Sequence, residues 1–121
     1  MKESVFDVME QKELNKKKDR RFIFGRYNGK LVRTIIRKDP QYIDYCMREN
    51  HYVDIIKLVA DNYGLSRIKF PYGKNKNKSV AFVYITERGY VQWCQKEGVA
   101  IGIIELVKPE LLKIKRELFG G

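Results

Sequence analysis

The sequence predicts an α+β protein made of two tandem copies of a small module, each with a β-hairpin followed by short helices. The two copies are expected to share one hydrophobic core, and a basic N-terminal arm and a C-terminal helix complete the chain. Three observations lead to this prediction. They are a sequence repeat, a hairpin-turn signal near the start of the first copy, and apolar residues at helical spacing after that signal.

The repeat appears when the sequence is shifted by 48 residues without a gap, which carries residues 22–59 onto residues 70–107. More than a quarter of the aligned positions are then identical. The identical pairs include Phe22 and Phe70, Gly25 and Gly73, Lys30 and Lys78, Val32 and Val80, Tyr42 and Tyr90, Cys46 and Cys94, and Glu49 and Glu97. An ungapped match at one fixed period indicates an internal duplication.

The repeat divides the chain into an N-terminal arm (residues 1–21), a first module copy (22–69) and a second module copy that includes the C-terminal helix (70–121). A module of about 48 residues is close to the size at which its own core no longer suffices for stability. We therefore expect the two copies to bury apolar surface against each other.

The first copy opens with residues 22–30, which are predicted to form a strand and a tight turn. The pair Asn28-Gly29 favours a type I′ hairpin turn, because that turn needs two central residues with positive φ. In the second copy Asn77 takes the place of Gly29, and asparagine also tolerates the left-handed region.

Helices are predicted after the turn. Residues 31–38 carry apolar residues at a spacing that favours a short helix, with a strand as the alternative. Asp39 and Pro40 are typical of an N-cap followed by the first residue of the next helix. A third helix is predicted over about residues 51–63, and Gly64 ends it.

The last part of the second copy is less regular. Residues 99–107 correspond to the third helix but contain Gly102 and many β-branched residues, so an extended conformation stays open. Pro109 predicts the start of the final helix, because proline fits the first helical position. The helical aromatic residues of both copies are predicted to lie in the core. They are Tyr42, Tyr45, Tyr90 and Trp93.

The net charge of +10 is spread along the chain, with +2 on the arm and +4 on each module. Such a field favours polyanions, either nucleic acid or an acidic protein surface. No apolar run reaches the roughly 18 residues of a membrane span, and the N-terminus lacks the apolar core of a signal peptide. We expect an intracellular protein without a membrane partner.

No catalytic set is predicted, and we expect neither a cofactor, nor a metal ion, nor a small-molecule substrate. Cys46 and Cys94 occupy equivalent positions without metal-ligand spacing, and His51 is the one histidine of the chain. No serine or cysteine lies in a motif that supplies a base. Residues 73–79 resemble a phosphate-binding loop only in their final Lys-Ser, so nucleotide binding is not predicted.

Both copies carry the same short motif. It begins with a glycine between an aromatic and a basic residue, continues with a second turn residue, and is followed by a Tyr-x-x-aromatic pair. Residues 24–30 and 42–45 carry this motif in the first copy, and residues 72–78 and 90–93 carry it in the second. The motif resembles the C-terminal domain of the exodeoxyribonuclease X-like family, with its Phe-Gly-Lys-Tyr-Lys-Gly-Lys type opening and later Tyr-Leu-x-Trp. The resemblance implies an accessory module found beside exonuclease domains and in phages and large DNA viruses. It implies no catalysis, because 121 residues leave no room for the nuclease fold.

We therefore predict a small, basic, non-catalytic nucleic-acid-binding protein of phage or viral origin. It is expected to contact mainly the phosphate backbone with low sequence specificity, and to prefer DNA to RNA. In a host cell it would lie in the cytoplasm or nucleus, or in the virion. Lys74, Lys76 and Lys78 alternate along the predicted hairpin, so their side chains would share one face. The predicted nucleic-acid-binding residues are Arg26, Tyr27, Lys30, Lys74, Lys76, Lys78, Lys16, Lys17, Lys18, Arg20 and Arg21.

Alternatives stay open at several of these positions. Tyr27 has no aromatic counterpart at Asn75, which argues against a repeated base-stacking platform. The basic run of the arm is also typical of a solvated segment or a nuclear address, and lysines on a strand edge also prevent strand pairing. The alternative function is a structural or adaptor protein, for example a virion component, that docks a protein partner through the arm and the final helix.

Overall fold

The computed structural model describes residues 20–120, which form six α-helices and one short 3-10 helix. The helices are α1 (Val32–Lys38), α2 (Pro40–Arg48), α3 (Val53–Tyr63), α4 (Val80–Thr86), α5 (Arg88–Glu97) and α6 (Ile101–Leu118), with the 3-10 helix at Leu65–Arg67 between α3 and α4. All six helices contribute side chains to one buried cluster. The most extensive helix contact joins α2 of the first copy to α6 of the second.

The predicted β-hairpins are absent from the described residues, so the α+β fold class is wrong. Antiparallel pairing between residues 20 and 120 is limited to two isolated bridges, Arg21 with Leu31 and Lys69 with Ser79. Each bridge closes a compact loop, and a helix begins directly after it. The described part of the chain is therefore an all-helical domain with two bridged loops.

Two consecutive turns replace the first hairpin. The amide of Asn28 donates to the carbonyl of Gly25 at 3.2 Å, and the amide of Lys30 donates to the carbonyl of Tyr27 at 2.8 Å. Gly25 has a φ of +85°, which turns the chain where the predicted strand would continue. Gly29 also has a positive φ, but Asn28 does not, so the turn is not of the predicted type I′. A positive φ at Gly25 cannot be read from the Asn-Gly signal three residues later.

The second loop has the same backbone hydrogen bonds as the first. The amide of Phe22 donates to the carbonyl of Lys30 at 3.0 Å, and the amide of Phe70 donates to the carbonyl of Lys78 at the same distance. Asn77 has a φ of +71° and takes the place of the second glycine of the first loop, as predicted. The division of the chain into an arm and two modules stays a prediction.

The helices of the first copy form where the sequence predicts them. The side chain of Asp39 accepts a hydrogen bond from the amide of Tyr42 at 3.2 Å, and Pro40 is the first residue of α2. This is the predicted cap, which satisfies one of the amides that a helix start leaves unpaired. Helix α3 begins two residues later than predicted and ends at Gly64.

Helix α6 differs from the prediction. It is one continuous helix of 18 residues with Pro109 in its interior, so Pro109 does not open a helix and the preceding segment is not extended. A proline inside a helix removes one backbone hydrogen bond. Val107 and Leu111, on either side of Pro109, are both buried in the core, and this burial stabilises α6 across the proline.

The contact between α2 and α6 is centred on Asp44 and Gly102. A Cβ atom on Gly102 would lie 2.2 Å from the backbone oxygen of Asp44, so only glycine allows the two helices to come this close. The carboxylate of Asp44 is completely buried. It accepts hydrogen bonds from the amide of Ile103 at 3.0 Å, Nε of Arg48 at 3.2 Å and the hydroxyl of Tyr72 at 3.3 Å. Asp44 therefore caps the first turn of a helix that belongs to the other half of the chain.

The prediction of aromatic residues in the core is wrong for two of the four. Tyr42 and Tyr90 are partly buried against the core, but Tyr45 is 44% exposed and Trp93 is 50% exposed. On α2 the core positions belong to Ile43 and Cys46, which are fully buried. Successive helical residues point in directions about 100° apart, so Tyr45 lies outside the buried stripe.

Candidate functional site

An open cleft of about 430 Å³ lies between the first loop and α2. Its lining residues are Arg26, Asp39, Gln41, Tyr42, Tyr45 and Arg48. The rings of Tyr42 and Tyr45 have centroids 6.1 Å apart and are tilted by 35°. Arg48 follows Tyr45 by three residues on α2, a spacing that places the two side chains on one face of the helix. We call Arg26, Tyr42, Tyr45 and Arg48 the first aromatic site.

Tyr42 is held firmly beneath this cleft. Its ring packs edge-to-face against the rings of Phe22 and Tyr27, at centroid distances of 5.6 and 4.9 Å. Its hydroxyl lies 3.2 Å from the position that a Cβ atom on Gly25 would take, so glycine makes room for it. Burial, followed by the interaction with Cys46, raises the pKa of Tyr42 to about 12. The phenol therefore stays neutral near neutral pH, and its ring contacts that of Tyr45.

The second copy repeats this arrangement at the positions shifted by 48 residues. The rings of Tyr90 and Trp93 have centroids 5.9 Å apart and are tilted by 33°, and the hydroxyl of Tyr90 lies 3.1 Å from the position of a Cβ atom on Gly73. Nζ of Lys74 lies 5.8 Å from the ring centroid of Tyr90. We call Lys74, Tyr90, Trp93 and Lys96 the second aromatic site.

A separate cleft of about 320 Å³ is lined by three arginines, and we call it the arginine cleft. Its lining residues are Arg33, Thr34, Arg37, Tyr63 and Arg67. Arg33 and Arg37 are four residues apart on α1 and therefore lie on the same face. The guanidinium carbon of Arg67 lies 4.6 Å from the ring centroid of Tyr63, in a cation–π contact. This cleft was not predicted from the sequence, although the spacing of Arg33 and Arg37 indicates one half of it.

Of the residues predicted to bind nucleic acid in the first loop, Arg26 lines the first aromatic site and Lys30 is exposed. Tyr27 has a different role, because its hydroxyl donates a short hydrogen bond to the carboxylate of Asp39. That hydrogen bond, together with burial, raises the pKa of Tyr27. Tyr27 therefore ties the loop to the start of α2.

In the second loop Lys74, Lys76 and Lys78 are all exposed. Nζ of Lys74 lies 2.5 Å from Oε1 of Glu87, and this ion pair lowers the pKa of the Glu87 carboxyl. The loop contains no strand, so the predicted alternation of three lysines along one hairpin face is wrong. Asn75, between the first two lysines, is buried.

The basic residues at the start of the described chain are Arg20 and Arg21. Both are exposed, and Nη1 of Arg21 donates to the carbonyl of Gly29 at 2.7 Å, which braces the first loop. The predicted arm residues Lys16, Lys17 and Lys18 lie outside the described residues.

Both cysteines are buried, and they interact with Tyr42 and Tyr90 of the two aromatic sites. Burial raises the pKa of both Cys46 and Cys94, so these thiols stay protonated near neutral pH and are poor nucleophiles. Between residues 20 and 120 no three His, Cys, Asp or Glu side chains lie close enough together to hold a metal ion. None of the helices described above is long and apolar enough to cross a membrane.

The described residues thus form a basic, all-helical domain with two equivalent aromatic sites and an arginine cleft. Residues 22–51 match the model of a protein family described as Exodeoxyribonuclease X-like C-terminal. The match supports the predicted family resemblance for the segment that contains the first loop, α1 and α2. By that description the segment is similar to a nuclease-associated region, which is compatible with a role related to nucleic acid. The chain matches no curated protein and no solved structure.

Proposed function

We propose that this protein is a non-catalytic nucleic-acid-binding accessory protein that contacts mainly the phosphate backbone with low sequence specificity. The observation that carries the proposal is the arginine cleft, in which α1 and the 3-10 helix bring three guanidinium groups to one opening. A phosphate chain is the biological polyanion that matches closely spaced arginines best. The match with a nuclease-associated family over residues 22–51 supports the same class of ligand.

The chemistry of the arginine cleft suits phosphate. A guanidinium group is planar and donates two parallel hydrogen bonds, which fits the oxygens of a phosphate. Arg67 is already oriented by the ring of Tyr63, which lowers the entropy cost of binding.

Exposed cations of the two loops add to the positive charge of the domain. Arg26, Lys30, Lys76 and Lys78 are exposed, and the net charge of the chain is +10. Backbone contacts of this kind carry little sequence information, because every nucleotide presents the same phosphate. We further propose that the two modules arose by duplication, which the matching hydrogen bonds of the two loops support. A phage or viral origin, an intracellular location and a preference for DNA belong to the same proposal.

The experiment is a binding assay with a fluorescently labelled oligonucleotide and the full chain. The double variant Arg37→Glu/Arg67→Glu is expected to weaken binding by about tenfold or more, and to lower the salt dependence by about two phosphates. The matched control is Lys113→Glu/Lys115→Glu, which makes the same change in net charge at exposed positions of α6. Equal losses in both variants would show that the cleft is not the binding site, and no binding by the unchanged chain would refute the function.

The second candidate function is the adaptor protein, and one feature favours it. A cleft of about 640 Å³ between α3 and α6 has apolar lining residues, among them Leu58, Leu106 and Leu112, within a rim of alternating charges. An apolar centre with a polar rim is the usual composition of a protein interface. Docking of a protein through this cleft would survive an increase in salt from about 50 to 200 mM, whereas phosphate binding would weaken steeply.

A further inference from the structure

We propose that Tyr45 and Trp93 are two equivalent base-stacking platforms, and that the preferred ligand is therefore single-stranded nucleic acid rather than duplex. This inference rests on the proposed function and names its ligand. It depends on different residues from those of the arginine cleft, so the two proposals can fail separately.

The rings of Tyr45 and Trp93 are both exposed. Several large apolar side chains of the described chain are exposed, but Tyr45 and Trp93 are related by the 48-residue shift and are both aromatic and both about half exposed. The other exposed residues lack this relation. Phe82 and Ile85, for example, correspond to the polar residues Thr34 and Arg37. An exposed aromatic position that occurs twice in equivalent places indicates a use for the ring itself.

Each exposed ring contacts a second, partly buried tyrosine ring. Tyr42 and Tyr90 hold the exposed rings at centroid distances of 6.1 and 5.9 Å, with tilts of 35° and 33°. Each supporting tyrosine is fixed because its hydroxyl fills the space beside a glycine, Gly25 or Gly73. The platform rings are therefore held close to one orientation before a ligand binds, which reduces the entropy that is lost when a base stacks on them.

Cationic residues accompany each exposed ring. Arg26 and Arg48 line the same cleft as Tyr45, and Lys74 and Lys96 are their counterparts at the 48-residue shift. Nζ of Lys74 lies 5.8 Å from the ring centroid of Tyr90 and also pairs with Glu87. An aromatic face for a base, flanked by cations for the adjoining phosphates, is the usual arrangement in proteins that bind single strands. Bases in a duplex are stacked on one another, so their faces are not available to a side chain unless the base is flipped out.

Trp93 is the one tryptophan of the chain, so its fluorescence reports directly on the second platform. We expect a single strand of about 20 thymidines to quench this fluorescence to a saturating level, and a duplex of the same length to quench it much less. A matching strand of uridines separates DNA from RNA as the source of the single strand.

The decisive comparison uses substitutions of the platforms in the full chain. Tyr45→Leu and Trp93→Leu are each expected to weaken single-strand binding by about 5- to 150-fold, and to change duplex binding by less than about twofold. Trp93→Phe, which keeps an aromatic face, should restore most of the affinity. Phe82→Leu is the matched control, because Phe82 is 49% exposed and lacks the repeated cations.

The outcomes separate the inference from the function on which it rests. If Trp93→Leu changes single-strand and duplex binding equally, or changes neither, the platforms are refuted. Nucleic-acid binding by the unchanged chain would still support the proposed function in that case. Arg37→Glu/Arg67→Glu is expected to weaken binding. If single strands at high protein concentration still quench Trp93 of this variant to the normal level, the platforms bind independently of the arginine cleft.

Discussion

Replacing Asp44 by alanine tests whether the buried carboxylate joins the two halves of the domain. The substitution removes the acceptor for the amide of Ile103, at 3.0 Å, and for the hydroxyl of Tyr72, at 3.3 Å. Both donors belong to the second copy, whereas Asp44 lies on α2 of the first. The third donor, Arg48, is 42% exposed, so its ion pair contributes little.

The expected loss follows from these contacts. A hydrogen bond to a charged group contributes about 1.5–3 kcal/mol, and a buried amide left without an acceptor costs about 1–3 kcal/mol. The variant also regains part of the free energy that burial of the carboxylate cost. We therefore expect the free energy of unfolding to fall by about 2–4 kcal/mol, out of the 5–15 kcal/mol typical of a small domain.

The assay is urea unfolding at constant temperature, followed by far-UV circular dichroism. Gln92→Ala is the matched control, because Gln92 is the exposed residue at the equivalent position of α5, and we expect a change within about 0.5 kcal/mol there. A loss below about 1 kcal/mol for Asp44→Ala, or one equal to the control, would refute the reasoning.

Three further predictions concern Gly102, Tyr42 and the lysines of the second loop. Gly102→Ala should lower the unfolding free energy by about 1–3 kcal/mol or more, because its Cβ atom would lie 2.2 Å from the backbone of Asp44; an unchanged urea midpoint would contradict this. The stability contributed by the neutral Tyr42 phenol is fully present below its ordinary pKa of 10.0 and lost as pH rises through about 12, so the urea midpoint should fall over that range, and less in Tyr42→Phe; equal falls would contradict the assignment. Lys76→Ala/Lys78→Ala should reduce the salt dependence of oligonucleotide binding by about two phosphates, and an unchanged slope would exclude these lysines from the interface.

Local signals in the sequence predicted most of the helices correctly. Asp39-Pro40 marks the start of α2, and Gly64 marks the end of α3, because caps depend on only a few neighbouring residues. The hairpin prediction failed because the Asn-Gly signal describes one turn and not its surroundings. The positive φ of Gly25 and the hydroxyl of Tyr42 beside it bend the chain, and both depend on tertiary packing.

Contacts between residues far apart in the sequence could not be predicted from local signals. The hydrogen bond from Ile103 to Asp44 spans 59 positions, and the continuous α6 follows from burial on both sides of Pro109, against the local rule for proline. The residues of the candidate site were likewise predicted only where a local motif indicated them. Arg26 was predicted from its place in the motif, but the arginine cleft required Arg67 to come from another element.

The aromatic platforms were missed for a related reason. Tyr45 and Trp93 have apolar neighbours in the sequence, which favoured a place in the core. Their exposure becomes visible only once Ile43 and Val91 are seen to occupy the buried stripe of each helix. The pattern identified the correct aromatic residues but could not tell which of them face solvent.

The salt dependence of single-strand binding by the unchanged protein tests the central claim most directly. If Arg37 and Arg67 of the arginine cleft and Lys76 and Lys78 of the second loop each contact one phosphate, a plot of log affinity against log salt should fall with a slope of about −3, since each phosphate on a single strand contributes about −0.7. A flat plot between about 50 and 200 mM salt, or no measurable binding at the lower concentration, would contradict the proposed nucleic-acid interface.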